Sequence, residues 1–414
     1  MISNGGEKKL IKKLSTYRKV IDDEEIYEIQ KLARPLLGKH VVHINSTYQG
    51  GGVAEMLNTL IPLMNSIGIK TGWRILHGTQ EFFNITKSFH NALQGSPLNL
   101  DNHIKKIYEE TVEAFSIFTH LDHDFVIVHD PQPLPLISFY KKSQPWIWRC
   151  HIDITSPNEQ LWDYLKNFIL FYDTIILSSK KYIKKDLPNP QVIFYPAIDP
   201  LSDKNKDLSQ EDINYYMEKY GIKTDKPIIA QISRYDPWKD PVGVIKIFRK
   251  VKENVDARLV LLGNMASDDP EGWKIYRQVE EEARDLIEKG DVQLLTIDSN
   301  ILVNALQRKA DVIIQKSIRE GFGLTVTEAM WKKKPVVASK VGGIELQIQD
   351  GKNGFLLEPF DYDGFAETIV KLLENKTLAK EIGEKAHETV KKNFLITRLL
   401  KDYLSLLNTL LYPK

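Results

Sequence analysis

Cysteine is almost missing from this sequence: Cys150 is the single one in 414 residues. That excludes an internal disulfide framework and a thiolate zinc cluster. No apolar run approaches the roughly 18 residues that a membrane-spanning helix needs. The opening MISNGGEKKLIKKLSTYRK is basic but has no continuous apolar stretch, so it does not read as a secretory signal. An excess of one charge is also lacking: 56 Lys and Arg stand against 55 Asp and Glu, a net charge of +1. Such a balance gives no sign of a nucleic-acid or anionic-membrane partner. There is no G-x-S-x-G, no H-E-x-x-H, no P-loop, no internal repeat and no low-complexity segment. These absences set the expectation of a cytoplasmic protein with neither nucleic acid nor membrane as partner.

What is present is ample core material. Hydrophobic residues are 42% of the chain, and at roughly 150 residues per domain the length suggests two or three domains. Residues 1–38 are a charged leader with apolar residues at helical spacing (Ile21, Ile26, Ile29, Leu32, Leu36), which predicts one amphipathic helix. From residue 40, short β-branched and aromatic runs alternate with amphipathic stretches: His40–Ile44, Thr71–Leu76, Phe125–Val128, Trp146–Cys150, Thr174–Leu177 and Val192–Tyr195. These are the marks of buried parallel strands joined by helices. Pro196–Gln210 breaks the rhythm and is the best linker candidate. Strand-like runs then resume at Pro227–Ile232, Arg258–Leu262, Val292–Thr296, Val312–Gln315 and Pro335–Ala338, with helical patterns between them such as Gly272–Lys289 and Asn300–Lys309, and a tail, Phe365–Tyr412, helical almost throughout. The expectation is α/β: two doubly wound, Rossmann-like domains facing a central cleft. The first covers 39–205 and is joined by the terminal helix 393–414; the second covers 206–392. In open sheets of this kind ligands bind beyond the carboxyl ends of the strands.

Four segments follow strands and could carry chemistry. In QKSIREGFGLTVTEAMW, residues 315–331, a loop with Glu320, Gly321, Phe322 and Gly323 opens a helix near Leu324. Small residues there let backbone N–H groups approach an anion at the positive helix end. Glu328, one turn inside, suits a ribose diol, and Glu320 a polyol or a positive reacting carbon; equally, Glu328 could complement the helix dipole and Glu320 be solvated. In SRYDPWKDP, Arg234 and Lys239 follow a strand and could neutralise a diphosphate, or Arg234 could pair with Asp236. Gly50, Gly51 and Gly52 form a turn after the first strand without the G-x-G-x-x-G spacing, so it is either a close approach for substrate backbone or a structural turn. His129, Asp130, His151 and Asp153 end two strands in HDPQP and WRCHID, where they could bond sugar hydroxyls or serve structure. Two D-x-D triplets that could suggest a metal are set aside: Asp122–Asp124 precedes its strand, and Asp361–Asp363 opens a helix as a cap.

Together, the triple glycine, Ser233-Arg234…Lys239, Glu320…Glu328 and GGIELQIQDGKNGFLLEP (342–359) resemble the retaining GT-B glycosyltransferases of the glycogen-synthase and sucrose-synthase type, family 4, over residues 40 to about 390. Within it, SRYDPWKDP, HDPQP and WRCHID are most similar to the trehalose-forming branch and to fungal-type trehalose phosphorylases. The resemblance implies retaining, reversible transfer of glucose from a nucleoside-diphosphate-glucose such as UDP-glucose or ADP-glucose to free glucose, giving α,α-trehalose. It implies that Arg234 and Lys239 hold the diphosphate, and that the Gly321–Thr325 backbone, Leu324 included, supports sugar and phosphate. Glu328 would take the ribose, with Glu320 and His151 at the donor hexose and Asp130 and the Gly50–Gly52 turn toward the acceptor. It implies no metal and no cofactor, the nucleotide-sugar being a substrate; the leader is a departure for which the family pattern offers no role, and a homodimer with a contact there is a separate expectation. Alternatives are a phosphate-using trehalose phosphorylase, another family member such as a sucrose-type synthase, a nicotinamide enzyme and a non-catalytic sugar-nucleotide sensor.

Overall fold

The computed structural model describes residues 13–49, 51–263 and 270–412. The chain divides into two compact units, one of 1–195 with 396–414, the other of 196–395. Unit 1 holds a six-stranded parallel sheet of β1 (His40–Asn45), β2 (Lys70–Ile75), β3 (Phe125–His129), β4 (Trp146–Arg149), β5 (Thr174–Leu177) and β6 (Gln191–Ile193), in the order β2-β1-β3-β4-β5-β6. Unit 2 repeats the plan with β7 (Ile228–Ile232), β8 (Arg258–Leu262), β9 (Val292–Leu295), β10 (Val312–Gln315), β11 (Val336–Ser339) and β12 (Phe355–Leu357), ordered β12-β11-β10-β7-β8-β9. Central strands are buried along their whole length, as a parallel sheet covered by helices on both faces requires.

Strand order reverses between β1 and β3 in unit 1, and between β7 and β10 in unit 2. At such a reversal the crossover helices diverge to opposite faces and leave a crevice beyond the carboxyl ends. Ser233–Asp240 leaves the end of β7 and Lys316–Gly323 the end of β10, so both charged motifs of unit 2 stand at its reversal point. His43 on β1 and His129 at the end of β3 stand at the reversal point of unit 1.

Two expectations are revised. Pro196–Gln210 is a built part of unit 2, with Pro196–Pro200 buried. Its turns are fixed by Asn304, whose Nδ2 donates to the carbonyls of Asp203 and Lys206 at 2.9 and 2.8 Å. The division therefore falls before Pro196 instead of after residue 205. The described part of the leader, from residue 13, is in turn packed into unit 1: its helix Asp23–Ala33 buries Ile26 and Ile29 and meets the helix Ile396–Leu411, where Asn408 donates to the Leu32 carbonyl at 2.8 Å. The tail reads as expected, as helices Tyr362–Glu374, Lys376–Asn393 and Ile396–Leu411. Gly272–Lys289 lies in two helices, Pro270–Glu282 and Arg284–Glu288. Asp124 accepts from Lys39 Nζ at 2.9 Å and the His40 amide at 2.8 Å, and Asp361 caps its helix by accepting from Gly364 at 2.9 Å.

Candidate active site

In unit 2 the loop after β7 is folded onto itself by two aspartates. Asp236 accepts from the Trp238 amide at 2.8 Å. Asp240, in the left-handed region at φ 39°, caps the helix Pro241–Lys252 by accepting from Gly243 at 3.0 Å. This fold presents Lys239 to the neighbouring loop, where its ammonium pairs with the Glu320 carboxylate. The two loops are also tied through backbone: Ile318 donates to the Trp238 carbonyl at 2.8 Å. Gln231 bridges beneath, its Nε2 donating to the Lys239 carbonyl at 3.1 Å and its Oε1 accepting from the Lys316 amide at 2.9 Å. Lys316 is fully buried, paired with Asp240, with its ammonium 5.0 Å from the Phe360 ring centre and 4.9 Å from that of Tyr362. Arg234 is the exposed member of the set, its side chain 71% accessible and 3.5 Å from Asp236.

The Glu320 loop owes its shape to two glycines far along the chain. Gly342 has φ 49°, and a Cβ there would run into the Glu320 carbonyl oxygen. A Cβ on Gly343 would stand 2.5 Å from Phe322 Cα, and its amide donates to the Glu320 carbonyl at 3.3 Å. Gln347 completes the clamp: Nε2 donates to the Phe322 carbonyl at 2.6 Å, and Oε1 accepts from Thr327 Oγ1 at 2.6 Å. Gly323 (φ 84°) then starts the helix Leu324–Trp331. The first-turn amides of a helix, here Leu324 and Thr325, lie outside the ladder of the helix itself and are donors for an anion. Thr325 is held in place by Oγ1 donating to Gln315 Oε1 at 3.0 Å and by its carbonyl accepting from Gln307 at 3.2 Å. Glu320, Gly321, Phe322, Gly323, Leu324, Thr325 and Lys239 are thus brought together in one place.

Glu328 lies deeper, 2% exposed, with Oε1 3.6 Å from Lys204 Nζ. Lys204 comes from the segment read as a linker, and nothing in the sequence marked it. Lys332, one turn on, donates to the Glu328 carbonyl at 3.2 Å and to Asn205 and Gln307 at 2.8 and 2.7 Å.

In unit 1, Gly51 (φ 100°) precedes the helix Gly52–Ser66, and a Cβ there would meet nothing within 4 Å, so backbone conformation alone selects glycine. Gly50 lies outside the described residues. Asp130, at φ 60°, ties two strand ends together: Oδ1 accepts from the His151 amide at 2.7 Å and its carbonyl from Trp148 Nε1 at 3.0 Å. Burial pushes its carboxyl up to about 7. Asp153 is spent on its own turn, accepting from the Thr155 amide and hydroxyl at 2.9 and 2.6 Å. His151 heads a row of three imidazoles. Its Nε2 is 2.9 Å from His129 Nδ1, and His129 Nε2 is 2.9 Å from His43 Nδ1. Burial drives His43 down to about 3 and holds His129 and His151 well below the usual histidine range, with Arg149 adding repulsion against protonating the latter two. Each is thereby biased toward its neutral form. His43 is the member that the sequence reading passed over; an imidazole inside a continuous buried strand was the available signal.

Residues 43–184 match the family model described as trehalose synthase, N-terminal domain, and residues 212–389 that of glycosyl transferases group 1. The trehalose synthase of Thermococcus litoralis is 48% identical over 412 residues, 98% of each chain. The chain belongs to the trehalose synthase family. A trehalose phosphorylase of Pleurotus pulmonarius is 29% identical over 94% of this chain and 60% of that protein. Among solved structures, a UDP-forming α,α-trehalose-phosphate synthase from Burkholderia xenovorans superposes with TM-score 0.73 at 14% identity, covering 91% of this chain and 100% of the other. The fold is therefore GT-B, as the motifs implied, and the protein is a glycosyltransferase of trehalose metabolism.

Proposed function

We propose that this trehalose synthase family member transfers glucose, with retention, from a nucleoside-diphosphate-glucose to the anomeric hydroxyl of free glucose, forming α,α-trehalose, and that it runs in both directions. The observation that carries this reading is the meeting of Lys239 and Glu320 at the mouth of the helix Leu324–Trp331. A cation and helix-end amides suit a departing diphosphate, and a carboxylate beside them suits the carbon that becomes oxocarbenium-like. In the step, the bond from C1 to the diphosphate oxygen breaks and a bond from C1 to the acceptor oxygen forms on the same face. The acceptor proton passes to the departing phosphate oxygen, so no protein base is consumed. Lys239, Arg234 and the Leu324 and Thr325 amides take up the charge on the leaving group, and Glu320 steadies the sugar cation. Glu328, with Lys204 Nζ 3.6 Å from its Oε1, is assigned to the ribose diol, and His151 to a hydroxyl of the donor hexose.

Incubation with UDP-, ADP- or GDP-glucose and glucose should yield a non-reducing disaccharide with a single α-anomeric signal by NMR, its two halves being equivalent. A reducing or β-linked product, or refusal of glucose with acceptance of a sugar phosphate, would overturn the reading. The phosphorylase relative motivates one further arm, trehalose plus inorganic phosphate, in which Arg234 and Lys239 would bind free phosphate. Glucose 1-phosphate formed there faster than nucleotide-glucose from trehalose and nucleoside diphosphate would favour that second reading.

A further inference from the structure

We propose that His43 and His129 are positioning residues which lock His151 in the tautomer carrying its proton on Nδ1, so that His151 offers an N–H donor to a sugar hydroxyl. The inference rests on the assignment of His151 to sugar made above. A neutral imidazole has one donor and one acceptor nitrogen, so three rings joined by two bonds have only two consistent registers. In the first, His43 Nδ1–H donates to His129 Nε2, His129 Nδ1–H donates to His151 Nε2, and His151 is left with its proton on Nδ1. In the second, every bond is reversed, and the leftover proton is on His43 Nε2. That nitrogen is buried and has no hydrogen-bond partner among the described residues.

The registers therefore differ in what is left at the inner end. The first leaves a bare lone pair and the second an N–H with nothing to receive it, and orphaned buried N–H groups are the rarer of the two in folded proteins. Near His43 the Tyr403 ring, centred 5.7 Å away at 73°, offers a π face only, a second-order acceptor. A charged row is no escape, because burial disfavours protonating each ring and Arg149 adds repulsion at His129 and His151. Ring orientation is fixed as well: His129 and His151 stack at 12° with centres 5.3 Å apart, and Asp130 pins the His151 backbone. Free imidazole in water favours the opposite tautomer, so the row is needed to hold this one. A neutral donor is the complement of a neutral hydroxyl oxygen.

The test is ¹H–¹⁵N long-range NMR on the full-length protein with labelled histidine, assigned by single His→Gln variants. The wild type should show His151 protonated at Nδ1; a proton on His151 Nε2 would overturn the proposal, whatever the protein's activity. His43→Leu should release the tautomer and lower kcat/KM about 10-fold, and His43→Asn, which restores a donor toward His129, should recover most of it. His43→Leu added to His151→Ala should cost nothing further, whereas additive losses would show that His43 acts elsewhere. An enzyme inactive on every nucleotide-glucose but with the expected tautomer would refute the proposed reaction and leave the histidine row standing.

Discussion

Lys239 and Glu320 lie 81 residues apart in sequence, on loops from adjacent strands, and their side chains form an ion pair. Each therefore holds the other in place. Loss of either should act on turnover, because in the proposed reaction both face charge that grows in the transition state. Glu320→Gln and Lys239→Ala are each expected to lower kcat by about 10²–10³-fold. The double variant should lose less than the product of the two. A purely structural pair would instead show normal kcat with a lower melting temperature.

Glu328 should behave differently. A ribose contact is similar in ground and transition states, so Glu328→Ala should raise the donor KM by about 10-fold or more with a smaller change in kcat. Lys204→Met should move KM the same way, since it removes the cation 3.6 Å from that carboxylate. Equal kcat losses in Glu320 and Glu328 variants would show that the two glutamates do not divide the work as assigned.

If Arg234 and Lys239 hold the diphosphate as proposed, turnover should persist in EDTA, and added magnesium should change it less than about two-fold. Arg234→Ala should lower the rate and make it less sensitive to salt, since one cation facing the diphosphate is removed, without altering the fold, its side chain being largely exposed. Activity lost to EDTA and restored by magnesium would refute this division of charge.

Acid should destabilise unit 1 through its imidazoles. An unfolded chain binds protons on histidine below about pH 6.5, whereas His43 in the fold stays neutral down to about 3. Stability is thus present above pH 6.5 and lost as pH falls toward 3. Asp130 works in the other direction, remaining protonated in the fold up to about 7 and so adding stability as pH drops from there toward 4. Replacing His43 by Leu should flatten the dependence between pH 4 and 6 by one proton, about 1.4 kcal/mol per pH unit. Parallel unfolding curves for wild type and variant across that range would contradict it.

The sheets were legible because buried parallel strands are continuous apolar runs, and eleven of them can be read by that rule alone. β12 escaped it: Phe355–Leu357 is three residues long, inside a glycine-rich motif that reads as loop. Pro196–Gln210 misled for a related reason. Its prolines and polar side chains look like a linker, but what buries it is backbone bonding to Asn304 and Arg308, a hundred residues away. The charged motif residues were visible because catalytic loops follow strand ends. Their partners Lys204, Gln231 and Lys316 were not, since an ordinary lysine or glutamine carries no local mark of what it will meet. Gly342 and Gly343 stood out as a motif, yet that they seat the Glu320 backbone is a tertiary fact.

The connectivity of unit 1 has a consequence for how the protein is made. Its helix Ile396–Leu411 buries Leu399, Leu400, Tyr403, Leu404 and Leu407, each contributing roughly 1.5–3 kcal/mol. This helix is reached only after all of residues 196–395. On a ribosome, the half that begins first would finish last: unit 2 can close while unit 1 still waits with an uncovered apolar face. The usual order, in which folding proceeds from the amino end, is inverted here. An isolated 196–395 fragment should fold and melt cooperatively, whereas 1–195 alone should aggregate until the 396–414 peptide is supplied.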